Sequence, residues 1–304
     1  MKFNKIAFAS ALSLSLLLAA CGSDDNATKT KDKSNENKAP KTEEVASKLV
    51  AGGALKDGTY SLSEKDFDDN GWKVQFDMTV KDGKIAESNY NYVNADGKLK
   101  SEDKDYQKAM VEKSGTGPAD YIPELNDQLV NKQNASQVEV VSGATHSSES
   151  FINYAQQLIQ AAQKGDTTAI EIDTKAPLKD GEYSLEEKNL DSTGWKTFIK
   201  MTVANGKISK VDYNYLNGDG KLKTDDEEYE KTMSEKSGTG PQEYIPELAK
   251  SLVEKQNAAE VEVVSGATHS SHAFKMYAAQ LINAAQKGDT TPIEVDNRVF
   301  EENK

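Results

Sequence analysis

Cysteine, arginine and histidine are scarce in this chain of 304 residues, and each shortage removes a class of chemistry. Cys21 is the one cysteine. Without a second thiol there is no disulfide, no iron–sulfur cluster and no Cys-x-x-Cys-His haem attachment. Arg298, close to the C-terminus, is the one arginine, which predicts that no guanidinium fork grips a phosphate within the body of the chain. His146, His269 and His272 are too few and too scattered for a zinc site or a triad, and they read as solvated turn residues. No Gly-x-Ser-x-Gly elbow occurs. The formal net charge of −13 argues against nucleic acid and anionic lipid as partners. Long apolar runs are missing too, save residues 6–18, which are too few for a comfortable membrane span.

That short run has the marks of a targeting segment. Lys2 and Lys5 give a basic start, and the run ends in Leu18-Ala19-Ala20-Cys21. The ending resembles a bacterial lipobox. The resemblance implies a signal peptide over residues 1–20, with Cys21 lipidated as the mature N-terminus. Two or more acyl chains anchor stably where one is marginal, so the expected location is the extracellular face of the cell membrane. Residues 21–55, poor in large apolar side chains in their first half, read as a flexible tether.

The remainder is an internal duplication. Residues 56–173 align without a gap on residues 179–296 at an offset of 123, with roughly two-thirds of positions identical. Each copy is long enough for its own core, so two tandem globular domains follow, with residues 174–178 as a joint and 297–304 as a polar tail. Asp57-Gly58, Asp82-Gly83 and Asp96-Gly97 mark hairpins in the first copy, as do Asp180-Gly181, Asn205-Gly206 and Asp219-Gly220 in the second. Strand-like runs surround Tyr60 and cover residues 72–80 and 85–93. Helical patterns cover 102–113 and 120–132. Strands first and helices later predict an α+β fold with a largely antiparallel sheet.

Both copies contain the stretch Val-Glu-Val-Val-Ser-Gly-Ala-Thr-His-Ser-Ser, at residues 138–148 and 261–271. Its start predicts a final strand, Ser-Gly a tight turn, and His-Ser-Ser the hydroxyl cap of a helix. Phe151, Tyr154, Ala155, Leu158 and Ile159 then fall on one helical face, as do Phe274, Tyr277, Ala278, Leu281 and Ile282. On local chemistry alone a Ser/Thr turn before a helix is a cap. It is also a place where free N–H groups favour a phosphate.

The tetrads Ser142-Gly143-Ala144-Thr145 and Ser265-Gly266-Ala267-Thr268 resemble the attachment motif of the FMN-binding domain family. The resemblance implies covalent FMN on Thr145 and Thr268, joined through its phosphate by a flavin transferase of the ApbE type. It also agrees with the α+β fold. Glu139 and Glu262 stand where the family often has Asp. On this reading Ser142 and Ser265 orient the turn, and Gly143 and Gly266 admit the phosphate. Trp72, Trp195, Tyr121 and Tyr244 are candidates to stack on the ring, or else core residues.

Three further features are weaker. Asn94-Ala-Asp96-Gly97 has Tyr92 and Asp103 where a calcium loop needs its end ligands, which favours a plain turn. Lys113-Ser-Gly-Thr-Gly-Pro118 and its copy at 236–241 lack a phosphate-loop ending; they read as a helix stop and restart, or as loops lying against the flavin. Neither a metal site nor a catalytic residue emerges. Over its whole length the chain resembles flavin lipoproteins of Gram-positive extracellular electron transfer. That implies a quinone-linked NADH dehydrogenase as electron source, external acceptors such as ferric iron, and a pheromone-like peptide from the signal sequence. The alternative is a non-redox surface lipoprotein for ligand binding or adhesion.

Overall fold

The computed structural model describes residues 48–301; the signal segment, Cys21, the lipobox and most of the tether lie outside the described residues. A short strand β1 (Leu49–Ala51) leads into the first repeat. There β2 (Gly58–Glu64), β3 (Lys73–Lys81) and β4 (Lys84–Val93) form an antiparallel meander. Helices α1 (Lys104–Ser114), α2 (Pro118–Lys132) and α3 (Thr145–Lys164) follow, and β5 (Ile170–Ile172) returns parallel to β2, giving the order β4-β3-β2-β5. The second repeat copies this with β6 (Gly181–Glu187), β7 (Lys196–Ala204), β8 (Lys207–Leu216), α4 (Glu227–Ser237), α5 (Pro241–Lys255), α6 (Thr268–Lys287) and β9 (Ile293–Val295). The fold is α+β in two tandem copies, as the sequence predicts.

Alternation explains the layers. Val74, Phe76, Met78 and Val80 of β3 are buried while the residues between them reach outward, the pattern of a sheet covered on one face. The cover is α2, through Tyr121, Ile122, Leu125 and Leu129, and α3, through Phe151, Ala155, Leu158 and Ile159. Phe76 stacks on Phe151 with ring centroids 5.1 Å apart.

Of the expected hairpins, Asp82-Gly83 and Asn205-Gly206 are two-residue turns with both φ positive. Asp57-Gly58 and Asp180-Gly181 are not turns between strands. Asp57 instead accepts the N–H groups of Asp82 and Gly83 at 3.0 and 2.9 Å, and Asp180 does the same for Asn205 and Gly206. Asn94 Oδ1 is likewise taken up by its own turn, accepting from the N–H groups of Asp96 and Lys98.

Two expected boundaries move. The tether does not extend to residue 55, because β1 pairs antiparallel with β10 (Val299–Phe300). For the same reason the tail is not a loose polar end. Gly53 N–H donates to Asp296 at 3.0 Å, Gln163 donates to the Asp296 carbonyl at 2.7 Å, and Arg298 Nη1 donates to the Gln133 carbonyl at 3.0 Å. The last segment of the second repeat thus clasps the first.

The long helices pack on one another. Lys275 meets Glu149 at 2.5 Å, Gln157 meets Asn283 at 3.2 Å and Gln160 meets Gln280 at 3.2 Å. Glu149 and Lys275 lie in the first halves of their helices and the two glutamine contacts in the second halves, so α3 and α6 run side by side in the same sense. Under the repeat offset Gln157 corresponds to Gln280 and Gln160 to Asn283, so these two contacts exchange. Reciprocity of this kind is the signature of a two-fold relation. Among the described residues no helix is long and apolar enough to cross a membrane.

Candidate functional site

Each tetrad lies at the start of its long helix. The Ala144 N–H donates to the Val141 carbonyl at 3.0 Å, and Gly143 has φ +78°, as the third residue of a type II turn requires. Ala267, Val264 and Gly266, at φ +80°, repeat the geometry. The expected strand before the turn is absent: residues 138–141 belong to no strand, although Val138 is extended. Side chains take the N–H groups a ladder would use. Gln128 Oε1 accepts from Glu139 at 2.7 Å and Ser148 Oγ from Val141 at 3.0 Å, while Ser271 Oγ accepts from Val264 at 3.1 Å.

Ser148 and Ser271 are therefore the residues that hold the turn. Each is fully buried and also donates to the Ala144 or Ala267 carbonyl at 2.9 Å. Sequence reasoning assigned the turn to Ser142 and Ser265, which are exposed and make no side-chain hydrogen bond among the described residues. Nor do the His-Ser-Ser hydroxyls cap the helix. The N-cap residues are Ala144 and Ala267, with no side-chain bond, whereas Asp103 and Asp226 cap α1 and α4. Thr145 and Thr268 are the first helical residues, and both are exposed. A first turn with no capping side chain keeps its N–H groups available to an outside acceptor. That fits a phosphate on the threonine oxygen.

The Gly-rich loops bear on the tetrads. Gly115 is the left-handed C-cap of α1 and Pro118 starts α2, so the loop is a stop and restart. It also abuts the turn: a Cβ on Gly143 would stand 2.2 Å from the Ser114 carbonyl oxygen, and one on Gly266 2.2 Å from that of Ser237. Close approach of protein backbone thus already demands glycine there. Trp72, Trp195, Tyr121 and Tyr244 are all buried in the core and offer no free face for stacking.

Two buried cations were not anticipated. Lys100 lies 4.2 Å from the Tyr92 ring centre, 4.7 Å from Tyr106 and 5.8 Å from Trp72. Lys223 lies 4.3 Å from Tyr229, 4.5 Å from Tyr215 and 5.5 Å from Trp195. Burial lowers both amines, Lys223 to about 8. The repeated Lys-Leu-Lys at 98–100 and 221–223 was the available signal. Tyr215, whose hydroxyl burial pushes up to about 12, forms a short hydroxyl pair with Tyr213.

A cavity of about 460 Å³ opens beside Thr268, with Lys223, Tyr215 and Tyr229 among its lining residues. Its size is in the range of small-molecule and cofactor sites. Arg298, expected in a polar tail away from either domain, lines it as well. His272 departs from its expected role too. It is half-buried on α6 with Nδ1 unpartnered, while His146 and His269 are exposed.

A fold of this kind with its paired tetrads is that of the FMN-binding domain family, and the chain belongs to it. The family matches twice, over residues 71–160 and 194–283, together more than half of the chain. Over 117 residues the chain is 41% identical to a 15 kDa lipoprotein of Treponema pallidum (strain Nichols), spanning 38% of this chain and 83% of that protein. A Clostridium perfringens protein of known crystal structure is 38% identical, covering 41% of this chain and 99% of its own, at a TM-score of 0.38. A Clostridium thermocellum protein solved by solution NMR is 27% identical, covering 36% of this chain and 92% of its own, at a TM-score of 0.25.

Proposed function

We propose that the chain is a lipid-anchored electron carrier with two covalently held FMN groups, one on Thr145 and one on Thr268. The observation that carries this reading is the pair of exposed threonines, each opening a helix without a side-chain cap, in a chain of the FMN-binding domain family. In attachment the threonine oxygen bonds to the FMN phosphorus of FAD. The pyrophosphate bond breaks, AMP leaves and the hydroxyl proton is released, catalysed by an ApbE-type transferase. Bound FMN supplies reversible electron transfer, while the protein sets its place and surroundings.

Diacylglyceryl modification of Cys21 would hold the carrier at the extracellular face of the membrane, and the Treponema pallidum relative being a lipoprotein supports that anchor. Over its whole length the chain resembles PplA, a flavin lipoprotein of Gram-positive extracellular electron transfer. By that likeness a quinone-linked NADH dehydrogenase is the electron source, ferric iron an acceptor, and the signal sequence the source of a pheromone-like peptide.

The test is mass spectrometry of the chain after co-expression with the transferase. Wild type gains two FMN units less two waters. Thr145→Ala and Thr268→Ala each remove one, and the double variant removes both. An unmodified wild-type mass would reduce the tetrads to turns.

A further inference from the structure

The cavity beside Thr268 is built by more than its own repeat. The second domain supplies Thr268, Lys223 and Tyr229, the first supplies Asn134, and the C-terminal segment supplies Arg298. Two of these residues are cations in no ion pair among the described residues, although the Asp191 carboxylate lies near enough to act on the charge of Lys223. Lys223 is 4% exposed and makes ring contacts but no hydrogen bond or ion pair among the described residues. Arg298 donates from Nη1 to the Gln133 carbonyl, while its buried Nε has no partner. The start of α6 adds partial positive charge.

Two carboxylates line the same cavity, and both are engaged. Glu187 accepts from the Tyr277 hydroxyl at 2.5 Å and the Thr197 N–H at 2.7 Å. Asp191 accepts the N–H groups of Thr193 and Trp195. Burying a cation without a partner is costly, and an arriving anion relieves that cost. The first repeat keeps the buried lysine, as Lys100, but not the arginine. There the counterpart of Arg298 is Lys175, an exposed residue of the joint.

We propose that Arg298 completes an anion subsite beside Thr268, so that the second domain binds a phosphate-bearing flavin more tightly than the first. The inference rests on the flavin reading of the tetrads and adds a residue that only one of the two sites possesses. A guanidinium suits the task because its planar donors match phosphate oxygens and its charge does not titrate.

The experiment uses the full chain made without the transferase, titrated with FMN and with riboflavin, which lacks the phosphate, and followed by flavin fluorescence. Wild type shows a tighter and a weaker class of FMN site. Arg298→Gln weakens the tighter class about tenfold for FMN and leaves riboflavin unchanged, as loss of one charge-assisted hydrogen bond predicts. Arg298→Lys keeps the charge without the planar fork and falls between wild type and Arg298→Gln, Lys175→Gln leaves both classes as they were, and inorganic phosphate competes at the tighter class. Thermal midpoints of the two Arg298 variants separate a loosened clasp from a lost contact.

Equal FMN affinity in wild type and Arg298→Gln, equal loss for riboflavin, or no measurable FMN binding would overturn the subsite. Attachment is scored apart, by mass after transferase and FAD. An unmodified Thr268 beside intact FMN binding would sink attachment alone, and a modified Thr268 with no dependence on Arg298 would sink the subsite alone.

Discussion

At Gly266 an added methyl group would stand 2.2 Å from the Ser237 carbonyl oxygen, on a residue whose φ is +80°. Gly97 has nearly the same φ, +78°, but nothing within 4 Å of the position its Cβ would take. The pair separates backbone strain from collision. Gly97→Ala should cost about 1 kcal/mol, and Gly266→Ala clearly more, on the order of 3 kcal/mol. Urea midpoints at unchanged slope would show it. Lys223 makes a pH prediction. Burial lowers its folded pKa to about 8, below the unfolded value near 10.4, so the unfolded state holds more protons between those two values. Stability from this group therefore rises as pH climbs from about 8 towards 10. Lys223→Met should flatten the rise, and equal slopes in both proteins would contradict the assignment.

Between elements, the contact of α3 with α6 carries one buried ion pair, Glu149 with Lys275, whose side chains are 9% and 6% exposed. The repeat offset places Ile152 where the second copy has Lys275, and His272 where the first has Glu149, so the pair exists in only one of two equivalent arrangements. Lys275→Ala strands a buried carboxylate and should cost about 3–5 kcal/mol, whereas Glu149→Leu combined with Lys275→Met should recover most of it. Denaturant titration of the single and double variants checks this. The helices themselves were legible, because Phe151 to Ile159 and Phe274 to Ile282 follow a helical period. The β-branched run at 138–141 misled because alternation fits any extended segment. Its N–H groups went to Gln128 and Ser148, partners that no local pattern announces. Lys100 and Lys223 escaped notice for a related reason: a lysine beside polar residues looks solvated until three rings close around it. Thr145 and Thr268 stood out by repetition, but the absence of a side-chain cap on their helices came only from the structure.

For the whole molecule, the direction of the paired helices matters most. Because α3 and α6 run the same way, Thr145 and Thr268 lie at the same end of the pair. On the proposed function, sharing one end of the helix pair supports relay between the two flavins over independent action. Under relay, Thr145→Ala or Thr268→Ala should each cut reduction of an external acceptor by much more than half. Two half-active variants would mean that the domains work separately.

The joining of β1 with β10 also sets an order of events in time. Lys48 and Glu301 are separated by 253 residues, yet their side chains meet at 3.2 Å. Each repeat can gather its own sheet and helices as it emerges, since most of their contacts are local to the repeat. The clasp cannot close until residues 296–301 have been made and are clear of the ribosome. Gly53, Asn134 and Gln163 of the first domain wait for Asp296 and Arg298, with which they form hydrogen bonds. A chain cut short at residue 295 would hold both tetrads but never finish its first domain's edge. The arrival of residues 296–301 is thereby written into the surface beside Thr268.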